Sequence, residues 1–167
     1  MKPIRFLLAA LAMIGLAGCY TSDKPLVTDA DSATPFQKIT FYNEDNKPLA
    51  FTLDGKAYRA KGESGTPDSL LRLKPIAGDY YVAQLSSDTT PDSPEGVQIL
   101  YAYMRVDPAN KVADTWKIVG TKADVRPGMR ECKDSICIDD LSAYVAYAQE
   151  AVTAGAKPDA SFKMEAE

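Results

Sequence analysis

The side chains that most often carry out chemistry are few in this chain of 167 residues. It has three cysteines, Cys19, Cys132 and Cys137, and no histidine. Without histidine the chain cannot build a Ser-His-Asp or Cys-His nucleophile, an imidazole general base or a His-ligated zinc or copper site. Carboxylate and lysine chemistry remain open, so the composition argues against catalysis without excluding it.

The first of the three cysteines follows an apolar leader. Lys2 and Arg5 precede an uncharged run over residues 6–17. That run is shorter than the roughly 20 apolar residues that span a bilayer, but it suits the apolar region of a signal peptide. The leader ends in Leu16-Ala17-Gly18-Cys19: an apolar residue, two small residues and a cysteine. This motif resembles the lipobox of bacterial lipoproteins.

The lipobox resemblance implies how the chain is processed and where it is held. It implies that residues 1–18 are removed, that the Cys19 thiol receives a diacylglyceryl group, and that the new amine is often acylated too. Two or three acyl chains hold a protein firmly, at about 0.8 kcal/mol for each buried CH₂. Enterobacterial lipoproteins kept in the inner membrane have Asp after the cysteine, whereas this chain has Tyr20. The resemblance therefore implies the periplasmic face of the outer membrane; the alternative is an ordinary secretory signal that happens to carry a cysteine.

The charge of the processed chain limits its partners. Lys2 and Arg5 are the only charged residues of the leader, so 17 basic and 23 acidic residues remain, a net charge of −6. An acidic protein lacks the counterion release that drives binding to nucleic acid. We expect no nucleic-acid partner, contact with the membrane through covalent lipid, and an envelope protein as the candidate partner. The sequence has no P-loop, dinucleotide-binding glycine pattern or nucleophile elbow, so we expect no cofactor, no metal and no enzymatic activity.

Cys132 and Cys137 are separated by four residues. In an oxidising compartment such a pair is most simply a structural disulfide. Because the loop is short, the bridge stabilises the fold by only about 2 kcal/mol. A redox pair or a metal site is the alternative, although the spacing differs from the two-residue spacing of thioredoxin-like motifs.

Charged residues surround these cysteines. Asp134, Asp139 and Asp140 could bind calcium, but the ligand order of an EF-hand is absent. Asp139 is equally suited to cap the helix that follows, where two carboxylates favour the positive end of the helix dipole. The same region carries three basic side chains, Arg126, Arg130 and Lys133. Their spacing is typical of a solvated loop.

Aromatic residues on predicted strands form another candidate site: Tyr80, Tyr81, Tyr101, Tyr103 and Trp116. They could line a ligand groove. Aromatic side chains at alternating strand positions more often pack in a core or across strands. Both interpretations stay open at this stage.

The middle of the chain predicts strands joined by short connections. The strand-like segments cover residues 38–42, 49–53, 56–60, 70–73, 80–85, 97–106 and 113–119. Asp54-Gly55 predicts a hairpin with a type I′ turn. Residues 97–106 are apolar on both faces, which predicts a central strand covered on both sides. Short connections between successive strands favour an antiparallel sheet.

A helix is predicted after the strands. Five apolar residues recur at helical spacing: Leu141, Tyr144, Val145, Ala148 and Val152. Gly155 and Pro158 supply a stop. The sequence thus predicts an α+β fold in which an antiparallel sheet of about six strands is covered by one C-terminal amphipathic helix.

The predicted organisation has four parts. Residues 1–18 form the signal peptide, and residues 19–37, rich in Asp, Ser, Thr and Pro, form a lipidated N-terminus and flexible tether. Residues 38–155 form a single β-rich domain with its C-terminal helix, and residues 156–167 form a polar tail. Docking of Leu26-Val27 and Phe36 onto the domain is the alternative to a free tether.

The expected function is a non-enzymatic binding or structural module of the cell envelope. The segment over residues 77–84, followed by residues 101–105, is similar to small uncharacterised lipoproteins of Gram-negative bacteria, a resemblance that implies no activity. One alternative is an inhibitor of a secreted enzyme such as lysozyme, whose basic surface would suit an acidic partner and the polar loop over residues 86–96. Another is a carboxylate-based hydrolase of envelope polymers, which needs two carboxyl groups roughly 5–10 Å apart across a cleft.

Overall fold

The computed structural model describes residues 19–62, 66–87 and 99–167. The predicted signal peptide and most of the polar loop over residues 86–96 therefore lie outside the described residues. The described part contains eleven strands, a short 3₁₀ turn (Lys122–Asp124) and one α-helix, α1 (Leu141–Thr153). The strands are β1 (Cys19–Thr21), β2 (Lys38–Tyr42), β3 (Pro48–Asp54), β4 (Ala57–Ala60), β5 (Ser69–Ala77), β6 (Tyr80–Ser87), β7 (Ile99–Asp107), β8 (Val112–Trp116), β9 (Met129–Glu131), β10 (Ser135–Ile138) and β11 (Ala160–Ala166).

Eight of these strands close into an antiparallel barrel. Strands β2 to β8 follow one another around the barrel in chain order, and β11 fills the gap between β8 and β2. The predicted α+β fold, an open sheet of about six strands with a covering helix, is therefore wrong, since the described residues are mostly β and 12% helical. Closure pairs the backbone groups that an open sheet would leave unpaired along its two edges.

Strand β11 lies in the segment predicted as a polar tail, residues 156–167. Phe162, Met164 and Ala166 alternate with polar residues, so one face of the strand is apolar. Met164 is 0% exposed and lies opposite Phe41 of β2. The tail prediction is wrong because the polar residues of this segment form the outer face of a barrel strand.

The segment predicted as a flexible tether is packed against the outside of the barrel. Gln84 of β6 is 0% exposed, and its side-chain oxygen accepts hydrogen bonds from the backbone N–H groups of Leu26 (2.9 Å) and Val27 (2.8 Å). A buried amide is stable only when its polar atoms are paired, and this segment supplies the partners. Asp31 adds an ion pair to Lys74 at 2.9 Å. The tether prediction is therefore wrong, and the docking alternative holds for Leu26 and Val27.

Strand β1 extends the sheet beyond the barrel. Its Thr21 pairs with Leu100, near the start of β7. It also runs parallel to β10, which pairs in turn with β9. Tyr20, directly after Cys19, is 0% exposed, and its ring packs at a tilt against Tyr144 with 5.2 Å between the ring centres. The chain is thus held in the fold from its first described residue.

The predicted helix is confirmed, with one change at its start. Asp140, not Asp139, is the N-cap, and its carboxylate accepts a hydrogen bond from the backbone N–H of Ser142 at 2.8 Å. Gly155 follows the helix in a left-handed conformation (φ 82°). Tyr144 and Ala148 are 0% exposed, because this face of the helix packs on the outside of the barrel.

Strand β7 separates two hydrophobic clusters. Ala102, Met104 and Val106 face the inner cluster, which fills the barrel. Ile99, Tyr101 and Tyr103 face the outer cluster, which lies under α1 and the strands β1 and β10. The prediction of a central strand covered on both faces is confirmed.

The predicted hairpin at Asp54-Gly55 is also confirmed, but its turn differs. Asp54 pairs with Ala57, so Gly55 and Lys56 are the two central residues. Gly55 has a φ of 65°, whereas Lys56 is not among the residues with positive φ. One positive φ at the first central position is typical of a type II′ turn rather than type I′.

The place of β11 in the barrel can be tested with one pair of variants. Met164→Ala removes a fully buried side chain from the inner cluster and should lower the free energy of unfolding by about 2–5 kcal/mol. Lys163→Ala, on the exposed outer face of the same strand, should change it by less than about 0.5 kcal/mol. Urea unfolding measures both, and equal small effects would contradict the assignment of β11 to the barrel.

Two buried tyrosines give a second test, of how the segment after β1 is attached. The Tyr101 hydroxyl contacts the Ser22 hydroxyl (2.8 Å), the Leu26 N–H (3.0 Å) and the Gln84 oxygen (2.9 Å). Tyr101→Phe removes these three buried contacts and should cost about 1–3 kcal/mol. The Tyr20 hydroxyl has no hydrogen-bond partner among the described residues, so Tyr20→Phe should cost nothing. Thermal unfolding distinguishes the two; a larger loss for Tyr20→Phe would refute this reading of the network.

Candidate functional site

A cavity of about 90 Å³ lies inside the barrel. Its lining is mainly apolar and comes from seven barrel strands and the segment after β8. Its apolar lining includes Phe41, Phe51, Leu71, Leu85, Met104 and Phe162. An eight-stranded barrel is just wide enough either to be filled by side chains or to hold one small ligand. In this barrel the side chains of the inner cluster fill part of the interior, and the cavity takes up another part.

The cavity exists because two small residues face each other. Ala83 of β6 and Ala102 of β7 are directly opposite and both line the cavity. The next inward layer holds Leu71, Leu85 and Leu100, which are paired across β5, β6 and β7. Interiors of proteins are normally packed without voids larger than a water molecule. The two methyl groups therefore leave a space that their larger neighbours surround but do not fill.

The chemistry of the lining favours an apolar ligand. No Asp, Glu, Lys or Arg occurs among the described residues that line the cavity. Two of its polar side chains are already hydrogen-bonded: the Thr115 hydroxyl donates to the Ala160 carbonyl at 3.0 Å, and the Asn43 carbonyl oxygen accepts from the Lys47 N–H at 2.7 Å. An apolar molecule would gain van der Waals contact there, while a charged one would lose its hydration without a counter-charge.

Cys19, the predicted lipidation site, lies at the start of β1. Its backbone pairs with Ser135 of β10 and with Val119. The side chain is 8% exposed, and burial raises the pKa of its thiol. Ile118 and Leu100, the neighbours of this strand, line the cavity. The predicted lipidation site and the cavity are thus built on adjoining backbone.

The predicted disulfide between Cys132 and Cys137 is confirmed, with 5.8 Å between the two Cα atoms. Cys132 follows β9, and Cys137 lies within β10. The bridge therefore closes the β9–β10 hairpin, whose second strand is the parallel partner of β1. Its role is to hold the strand on which β1 rests.

The charged residues near this hairpin have structural partners. Arg130 donates to Asp139 at 3.1 Å and to Asp23 at 2.6 Å, so it joins the hairpin to the segment after β1. Asp140 caps the helix. The described residues contain no group of three or more potential metal ligands. The capping interpretation therefore accounts for Asp140, although the prediction had placed Asp139 in that role.

The aromatic set divides between the two sides of the sheet. Tyr80 stacks on Tyr103 at 5.4 Å and lies 6.1 Å from Trp116, all in the outer cluster. Tyr81 packs against the inner cluster. Of the five residues, Tyr101 alone borders the cavity in the described structure. These aromatic residues serve packing and do not share one ligand groove.

The cavity was not among the sites predicted from the sequence. Ala83 and Ala102 are 19 positions apart, and only the pairing register of β6 and β7 shows that they meet. The sequence signal for the cavity is a small residue at an inward position on each of two successive strands. It becomes interpretable only once the inward faces and the register are known.

Comparison with known proteins adds no relative. No protein-family model, no curated protein and no solved structure matches this chain. Within the described residues, no helix is both long enough and apolar enough to cross a membrane.

Filling the cavity provides a test of its existence. Ala83→Val adds two methyl groups in empty space and should raise the free energy of unfolding by about 1 kcal/mol. Ala113→Val makes the same change in the filled part of the barrel, where Ala113 is 0% exposed and does not line the cavity. That variant should lose about 1–3 kcal/mol through overpacking. If denaturant unfolding showed the same loss for both, the barrel would have no such space.

Proposed function

We propose that this chain is a lipid-anchored, non-enzymatic binding module of the cell envelope, and that the barrel cavity is its binding site for a small apolar molecule. The observation that carries the proposal is the cavity of about 90 Å³, lined by apolar side chains inside a closed barrel. Empty apolar cavities lower stability through lost packing. A ligand that fills the space restores those contacts, which gives the binding its driving force.

The lipobox-like motif and the position of Cys19 support the anchoring part of the proposal. A diacylglyceryl group on Cys19 would be attached at the first residue of β1. The next residue, Tyr20, is already buried in the outer cluster, so little chain separates the lipid from the folded domain. The protein would then lie directly against the periplasmic face of the outer membrane, without a flexible spacer. Its net negative charge gives an anionic bilayer no attraction, so the covalent lipid alone would hold it.

No observation in the described residues supports the two other functions suggested by the sequence. A carboxylate-based hydrolase needs facing carboxyl groups, and the described lining of the cavity contains none. An inhibitor of a secreted enzyme was expected to act through the loop over residues 86–96, most of which lies outside the described residues. A partner protein in the envelope remains compatible with the binding role.

Xenon binding tests the cavity as a ligand site. All described elements lie in residues 19–167, so the experiment uses a protein of these residues with Cys19→Ser. Its methionine methyl groups are labelled with ¹³C. Xenon occupies apolar cavities that exclude water. We expect it to shift the Met104 methyl signal, because Met104 lines the cavity, and to leave the signal of Met129, in the outer cluster, unchanged.

The control for this experiment is the filled cavity. Ala83→Val should weaken the xenon-induced shift of Met104, while Ala113→Val should keep it. A Met104 signal that does not respond at saturating xenon pressure would refute the proposed binding site.

The anchor is tested separately by fractionation. The full chain expressed with its leader should sediment with envelope membranes and gain the mass of fatty acids. Cys19→Ser should lose both properties, because the sulfur that carries the lipid is gone. Equal sedimentation of both forms, with no added mass on the unsubstituted chain, would disprove lipid anchoring and leave the cavity proposal untouched.

A further inference from the structure

One hydroxyl inside the barrel has no partner. Ser69, the first residue of β5, is 0% exposed, and its hydroxyl has no hydrogen bond in the described structure. Leaving a buried polar group unpaired costs about 1–3 kcal/mol. Such groups are rare in folded proteins, and each requires a specific reason.

The position of Ser69 connects it with the cavity. Side chains alternate along a strand, and Leu71 and Leu73 of β5 belong to the inner cluster, so Ser69 also faces the barrel interior. Leu71 lines the cavity. Ser69 therefore lies one inward position beyond the cavity wall, at the end of the barrel where the β2–β3 and β4–β5 connections are found.

The lining at the same end of the cavity is mainly apolar. Leu85, Leu100 and Ile118 line the cavity at this end, where β6 ends, β7 begins and the chain leaves β8. The Ser69 hydroxyl is therefore an unpaired polar group beside an apolar part of the lining. A ligand matched to this arrangement has an apolar body and one polar end.

The size of the cavity restricts the body of the ligand. An engineered cavity of roughly 150 Å³ accepts a benzene ring. A volume of about 90 Å³ therefore limits the buried part of the ligand to a small apolar group, such as a short alkyl chain. The polar end must be uncharged, because no Lys or Arg occurs among the described lining residues to pair with a carboxylate.

We propose that the cavity binds the alkyl chain of a single-chain amphiphile with an uncharged hydroxyl end, and that this hydroxyl pairs with the hydroxyl of Ser69. The inference rests on the proposed function, since it names the ligand class of the same cavity. The ligand supplies the hydrogen-bond partner that Ser69 lacks among the described residues, and the leucine layer of β5, β6 and β7 surrounds the chain.

The test compares a hydroxylated with a plain alkane in two serine variants. Pentan-1-ol and pentane are titrated into the chain of residues 19–167 with Cys19→Ser, and binding is followed at the Met104 methyl group. Ser69→Ala should weaken the affinity for pentan-1-ol about three- to tenfold through loss of one hydrogen bond. Its affinity for pentane should stay within about twofold. Ser86→Ala, the same substitution at a buried serine on the opposite face of β6, should change neither.

The outcomes separate this inference from the proposed function. If pentane and xenon bind but Ser69→Ala leaves the affinity for pentan-1-ol unchanged, the role of Ser69 is refuted and the cavity remains a ligand site. If Ser69→Ala weakens both ligands equally, its hydroxyl acts on the fold and the inference is again refuted. If no probe binds, both proposals fail together.

Discussion

The pairing of β11 with β2 and β8 closes the barrel, and the other features depend on this closure. Strands β2 to β8 form a continuous meander whose two outer strands would otherwise expose unpaired N–H and C=O groups. β11 satisfies both edges, and its Met164 enters the inner cluster beside Phe41. An open sheet has no interior, so without this strand the cavity would lose the wall to which Phe162 belongs.

The second cluster explains how so small a domain covers the outside of its barrel. The outer face of β7 is apolar and requires a cover. Helix α1, the disulfide-closed β9–β10 hairpin and β1 supply that cover together, and buried Gln84 joins the segment after β1 to the same wall. The predicted lipidation site and the proposed binding site are therefore connected through β7: a lipid on Cys19 would attach to the layer that covers the outer face of this strand, and its inner face lines the cavity.

The local sequence pattern predicted most strands and the helix correctly, but it did not predict how they pack together. Strands β2 to β8, the hairpin at Asp54-Gly55 and the helix each have a signal within a few residues, and all are present. β11 carries an alternating pattern too, but its apolar face is only Phe162, Met164 and Ala166 among charged neighbours, which also suits a solvated tail. Docking of the segment at Val27 depends on Gln84, 57 positions away, and the cavity depends on the register of Ala83 against Ala102. Partners so distant in sequence cannot be read from periodicity.

Hydrogen exchange of the β11 amide groups tests the central claim most directly. Strand β11 pairs with β8 over residues 160–163 and with β2 over residues 163–166, so its paired amide groups open only with the barrel. We predict that the amide protons of residues 162–165 exchange as slowly as those of β2 and β8, at the rate of global unfolding. The contradictory result is exchange of these amides within seconds, as in an unpaired chain, while β2 to β8 stay protected.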